Sequence, residues 1–208
     1  MVLYRDPETS DEALARAAQQ GDARALDVLL DRHQSKVLRV LGFLGVPAQD
    51  REDVAQEVFV RVFRHLKGFR ARQSFGAWIY RVTVNAAHDY RTRCGRRAAG
   101  ETSWQDGLDD SAPDERPGPA ESARERELRE ALARALETLT ERERSVFVLR
   151  ELEGLETAQV ARSLRISAIT VRRHLFLARR RLRRALGALE EKNSPPIERI
   201  VPDGSSHG

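Results

Sequence analysis

The sequence predicts an all-α protein of two small helical domains joined by a flexible acidic linker. Three observations carry that prediction. Apolar residues recur at helical spacing through most of the chain, and no segment sustains the two-residue alternation of a half-buried strand. A stretch from Gly100 to Ser122 holds seven acids, one base, three prolines and three glycines. The 40% apolar content of 208 residues suits small cores better than one large core.

Each element follows from its own residues. Asp11 to Arg32 places Leu14, Ala17, Ala18, Ala25, Leu26, Leu29 and Leu30 at helical period. Gly21 interrupts the run, and Asp22 is positioned to cap a second helix. Lys36 to Leu44 continues the pattern up to Gly45-Val46-Pro47. Asp53 to Leu66 is the clearest helix. At 100° per residue, Val54, Val58, Phe59, Val62, Phe63 and Leu66 fall on one side, and Asp53, Gln56, Glu57 and Arg64 on the other. Lys67-Gly68 ends it. Phe75 to Arg93 forms a further helix, with Trp78, Ile79, Val82 and Ala86 as its core stripe.

These helices delimit a first domain, residues 10–97. Residues 98–125 form the linker, because so polar and broken a segment buries too little to offset its ordering entropy. The second domain spans 126–187. Leu128 to Leu139 is amphipathic, and Thr140 with Glu143 makes a capping box for a helix that ends at Gly154. A short helix from Thr157 to Leu164 turns inward through Val160, Ala161 and Leu164. The chain breaks at Arg165-Ile166-Ser167, and Ser167 caps a last helix, Ala168 to Leu186. Short helix, tight turn and longer helix fit a helix-turn-helix. Residues 188–208, with prolines at 195, 196 and 202, read as a disordered tail.

The charge is informative by position rather than by sum. The net charge is only +4, yet Ala161 to Ala185 holds nine arginines and no acid. A helix this basic repels itself unless a polyanion neutralises it. Lysine occurs only at Lys36, Lys67 and Lys192, so the basic faces are made of Arg, the side chain that forks onto phosphates and base edges. A single Cys94 excludes a disulfide scaffold or a zinc cluster. No run approaches 18 apolar residues, so no membrane span is expected, and the start lacks the pattern of a signal peptide. The five histidines show no HExxH spacing, and neither a Walker loop nor GxGxxG is present. No catalytic residue, cofactor or metal is therefore expected, and the default location is cytoplasmic.

With both halves in view, residues 10–187 resemble a bacterial RNA polymerase sigma factor of the extracytoplasmic-function (ECF) type. Asp53-Val-Ala-Gln-Glu-Val-Phe-Val-Arg-Val-Phe resembles the region 2 helix that docks on the polymerase clamp. Phe75-Gly-Ala-Trp-Ile-Tyr-Arg-Val-Thr-Val-Asn-Ala-Ala-His-Asp-Tyr-Arg resembles the helix that melts and reads the −10 element. Leu139 to Leu155 and Thr170 to Leu182 resemble region 4, which reads the −35 element. The resemblance implies a non-enzymatic alternative sigma factor. Its implied partners are the clamp and flap regions of core RNA polymerase, duplex −35 and single-stranded −10 promoter DNA, and a cognate anti-sigma factor able to hold it at the membrane.

Position by position, Asp53, Gln56 and Glu57 match the polymerase-contact face, and they are also the polar side of an amphipathic helix. Asn85 matches a position that reads a flipped −10 base; its amide can bond a Watson–Crick edge. Phe69, Arg70, Gln73 and Ser74 match the loop that pockets that base, and Arg81, Arg91 and Arg93 meet phosphates. Trp78 and Tyr80 fit base stacking, with the core as the other fit for Trp78. In region 4, Ser167, Thr170, Arg172, Arg173, Phe176, Arg179 and Arg180 match the −35 surface. Phe176 fits either a thymine methyl or inward packing. The turn position often held by Gly is Arg165, which is strained if the turn needs positive φ. The acidic linker fits a nucleic-acid mimic in the polymerase or a simple soluble spacer. The rival to this reading is an autonomous helix-turn-helix regulator with an N-terminal sensing domain.

Overall fold

The computed structural model describes residues 9–70, 74–98 and 131–193. Nearly all of the linker 98–125, the loop residues 71–73 and the chain beyond 193 lie outside the described residues. Among the described residues the regular elements are all helices.

The first domain is a four-helix bundle. Helix α1 (Asp11–Gln19) is capped by Ser10, whose hydroxyl accepts from the Ala13 amide. Gly21 turns the chain at φ +98°, and Asp22 caps α2 (Ala23–Phe43) by accepting from the Ala25 amide at 3.1 Å. Helix α3 (Arg51–His65) follows a 3₁₀ turn and runs out through another at Leu66–Gly68. Helix α4 is Phe75–Ala98. Their buried faces meet in Leu14, Leu29, Val37, Leu41, Val58, Val62 and Ile79, all without solvent exposure.

The apolar side expected for α3 needs one correction. Phe63 is 66% exposed. It stands five residues from Val58, about 140° round the helix. The core accepts Val54, Val58 and Val62, a narrower arc than the run of apolar letters implied.

In the second domain, the described part of α5 covers 131–137. Helix α6 (Glu141–Phe147) opens with the expected capping box, Glu143 amide to Thr140 Oγ1 at 3.4 Å and Thr140 amide to Glu143 Oε2 at 3.0 Å. It widens into a π-turn over Val148–Leu152, which the sequence pattern does not reveal. Helix α7 (Thr157–Leu164) ends on Arg165 at φ 53°, ψ 46°, so the left-handed turn is made by Arg. Ser167 caps α8 (Ala168–Asn193), accepting from the Thr170 amide at 3.0 Å. The helix continues beyond the expected boundary at 187, because residues 188–192 are mostly strong helix formers and the first proline is Pro195. Ala135, Leu136 and Leu139 pack on Ala178 and Leu182 in a small core.

The two domains share a seam. Val146, Leu149, Val160, Leu164 and Val171 belong to the same buried cluster as the first-domain core. At its edge, Gly45 adopts φ +86° and lacks a Cβ, which would stand only 2.5 Å from Arg144 Nη1. Arg144 is buried there, donating to the Leu136 carbonyl at 2.9 Å and the Leu44 carbonyl at 3.4 Å. Burial pulls its pKa below the ordinary arginine value.

Candidate nucleic-acid and protein interfaces

The exposed face of α3 carries Asp53 and Gln56, with Glu57 half-buried beside them. Val60 and Phe63 extend the same face as exposed apolar neighbours, a feature that letter-by-letter patterning misassigned for Phe63. Glu57 is shared by two arginines, Arg61 at 3.3 Å and Arg93 at 2.9 Å. Arg61 also pairs with Asp89 at 2.7 Å. An acid expected to face the polymerase thus holds an arginine expected to face DNA.

On α4, Asn85 is exposed. Arg81 and Arg91 are half-buried and Arg93 is exposed on the same helix. The loop before α4 is pinned from below. The Gln19 amide donates to the Leu66 and Phe69 carbonyls, both at 2.8 Å, and Glu12 accepts from the Phe75 amide at 3.1 Å. Neither α1 residue was legible as part of the site, since their contacts span 47, 50 and 63 residues of chain. Arg70 and Ser74 are exposed; Gln73 lies outside the described residues.

Phe69 and Trp78 are placed differently from the rest of the expected −10 set. Both are buried, with ring centroids 5.4 Å apart, and Phe75 completes a triangle with them at 5.5 and 5.4 Å. Of the two fits open for Trp78, the structure takes the core. Three large rings meeting at such angles are worth more in an apolar cluster than exposed singly.

The domain seam covers part of this face. Ser74, Trp78 and Arg81 share a small cleft with Gln159, Arg162 and Ser163 of α7, and the Ser163 hydroxyl donates to the Ala77 carbonyl at 3.0 Å. Nearby, the Glu153 carboxylate accepts from Tyr80 Oη at 2.5 Å and from Arg39 Nη2 at 2.9 and 3.1 Å. Burial, and then the Glu153 carboxylate, push the Tyr80 phenol pKa well above its ordinary value. Burial and Asp50, which accepts from Tyr90 at 2.6 Å, do the same for Tyr90. Away from these faces, a hydrogen bond from His33 holds the Asp11 carboxyl below its ordinary range, with Arg32 adding to it.

Helix α8 presents its basic face outward. Arg172, Arg173 and Arg180 are exposed, with Phe176 64% exposed among them. Phe176 is therefore not packed inward. Ser167 is exposed and Thr170 half-buried at the helix start, their hydroxyls 2.8 Å apart. Not every arginine is unpaired: Arg179 pairs with Glu151 and Arg181 with Glu143, each at 2.9 Å. Among the described residues, no cluster of His, Cys, Asp and Glu could hold a metal ion, and no helix is long and apolar enough to cross a membrane.

Known proteins match both domains of this arrangement. The sigma-70 region 2 family matches residues 29–97, and the sigma-70 region 4 family matches residues 129–192. The ECF RNA polymerase sigma-E factor of Escherichia coli (strain K12) is 33% identical over 199 residues, 92% of this chain and 98% of that protein. The RNA polymerase sigma-H factor of Pseudomonas aeruginosa is 31% identical over 188 residues, 88% of this chain and 96% of that protein. The solved structure of CnrH in complex with the cytosolic domain of CnrY superposes with a TM-score of 0.64 at 27% identity, covering 89% of this chain and all of that one. The chain therefore belongs to the ECF sigma factors of the sigma-70 family, which bind core RNA polymerase and direct promoter-specific transcription initiation without being enzymes themselves.

Proposed function

We propose that three surfaces divide this work. Asp53, Gln56 and Glu57 dock on the polymerase clamp, and region 4 meets the flap. Asn85, with the loop around Arg70, Gln73 and Ser74, receives a −10 base, while Arg81, Arg91 and Arg93 hold the strand. Arg172, Arg173, Phe176 and Arg180 enter the major groove of the −35 element, supported by Ser167, Thr170 and Arg179. Phe69 and Trp78 act from beneath, shaping the loop rather than stacking on bases. The observation that carries this division is the α8 face: exposed arginines and Phe176 stand opposite the buried Val171, Ala178 and Leu182.

The seam adds a regulatory consequence. Ser74 and Arg81 face α7 in the closed arrangement, so the free protein binds promoter DNA weakly, and polymerase exposes the −10 face by parting the domains. Glu57 adds to this, because its capture by the clamp releases Arg93 for a phosphate. The protein acts in the cytoplasm. A partner resembling the cytosolic domain seen on CnrH would serve as its anti-sigma factor, and a membrane-bound one would tether it.

Transcription in vitro with purified core polymerase tests the proposal. Adding the protein should give promoter-specific initiation. Absence of initiation, combined with an operator footprint from the free protein, would establish the autonomous-regulator reading instead. If about six arginines meet phosphates, log affinity should fall with log salt at a slope of about −5.

A further inference from the structure

Ile169 is the most exposed large apolar side chain among the described residues, at 74%. An isolated exposed isoleucine would need no explanation. This one stands in the first turn of α8, two residues after the cap Ser167. It lies seven residues before Phe176, about 20° away round the helix and about 10 Å along it. Both side chains point away from the buried Val171, Ala178 and Leu182. Exposed Arg172 and Arg173 flank the stripe between them.

The surroundings decide the occupant. An apolar protein surface would gain little from a stripe ringed by uncompensated guanidinium groups, since each would lose hydration without a partner. A polyanion with apolar points on it fits both features. The major groove of duplex DNA is such a surface: phosphates line its edges, and the C5 methyl of thymine is the apolar group on its floor. The N-terminal turn of a recognition helix is the part that reaches base edges.

We infer that Ile169 is a specificity residue that reads a thymine methyl in the −35 element. It forms one of two apolar teeth, with Phe176 as the other, on either side of guanidinium groups that read the pairs between. The teeth are spaced for thymines about three base pairs apart, at about 3.4 Å per pair. The inference rests on the assignment of α8 to the −35 element.

The test uses holoenzyme and a −35 duplex selected by it from a random library. Each thymine is replaced singly by deoxyuridine, which removes only the methyl. One replacement should weaken wild-type holoenzyme about fourfold, the worth of one buried methyl. The same replacement should cost nothing in Ile169→Ala, which keeps the helix because alanine favours it and the site is exposed. A second thymine, facing Phe176, should remain sensitive in that variant.

Uracil without cost at every position, or an unchanged cost in Ile169→Ala, overturns the inference. So does an Ile169→Ala defect confined to binding of anionic phosphatidylserine vesicles, which would assign the stripe to a lipid surface. Arg172→Ala separates the two levels. If it weakens −35 binding while uracil is silent, only the Ile169 role fails; if it leaves −35 binding unchanged, the α8 assignment itself fails.

Discussion

Replacing Glu153 with Gln is the most direct perturbation of the domain seam. The Glu153 side chain is 3% exposed, yet it carries a charge shared between Tyr80 and Arg39. The Glu153→Gln substitution would keep the shape but lose the charge, and the new amide would set a donor against a donor. A hydrogen bond to a charged group is worth about 1.5–3 kcal/mol. The Arg39 side chain is 49% exposed, so its share is screened to about 1 kcal/mol or less. A combined loss of about 2–3 kcal/mol shifts the closed–open balance about 30- to 150-fold toward open. Small-angle scattering should show a larger radius of gyration for Glu153→Gln. The free variant should also bind a promoter fragment more tightly than wild type. Combining it with Tyr80→Phe should give less than the sum of the two effects, because both remove one interaction. An unchanged radius and affinity, or strict additivity with Tyr80→Phe, would refute the view that this carboxylate clamps the domains.

Three further predictions follow from other parts of the molecule. Asp53→Arg should lower core polymerase affinity by about thirtyfold (~2 kcal/mol) while leaving the circular dichroism spectrum unchanged, since Asp53 is exposed; equal core binding in a pull-down would remove it from the docking face. Arg165→Gly should relieve left-handed strain of about 1 kcal/mol and raise the melting temperature by about 2–4 °C, measured by calorimetry; a drop would show that Arg165 makes a compensating contact. The raised pKa of Tyr80 means the folded state holds its proton more tightly than the unfolded chain. The stability it adds is complete below about pH 10 and is lost as pH rises above that. Tyr80→Phe should therefore reduce the alkaline loss of stability seen in urea titrations, leaving the part due to Tyr90; an identical pH profile would contradict the burial of that phenol.

Much of the protein is legible in its letters. Asp22, Thr140 with Glu143, and Ser167 cap the helices they were expected to cap, because a cap depends on residues three positions apart. The strained turn at Arg165 and the basic face of α8 are likewise local, set by one residue's sterics and by a 100° period. The seam is not local. Glu153 meets Tyr80 and Arg39 across 73 and 114 residues, and in sequence it is one acid among many. The burial of Phe69 and Trp78 and the exposure of Phe63 and Ile169 also belong to tertiary structure. An apolar letter states that a side chain prefers to leave water. Which ones succeed depends on how many faces the neighbouring helices cover, and α3 and α8 each have an apolar residue on a side that none of the described helices covers.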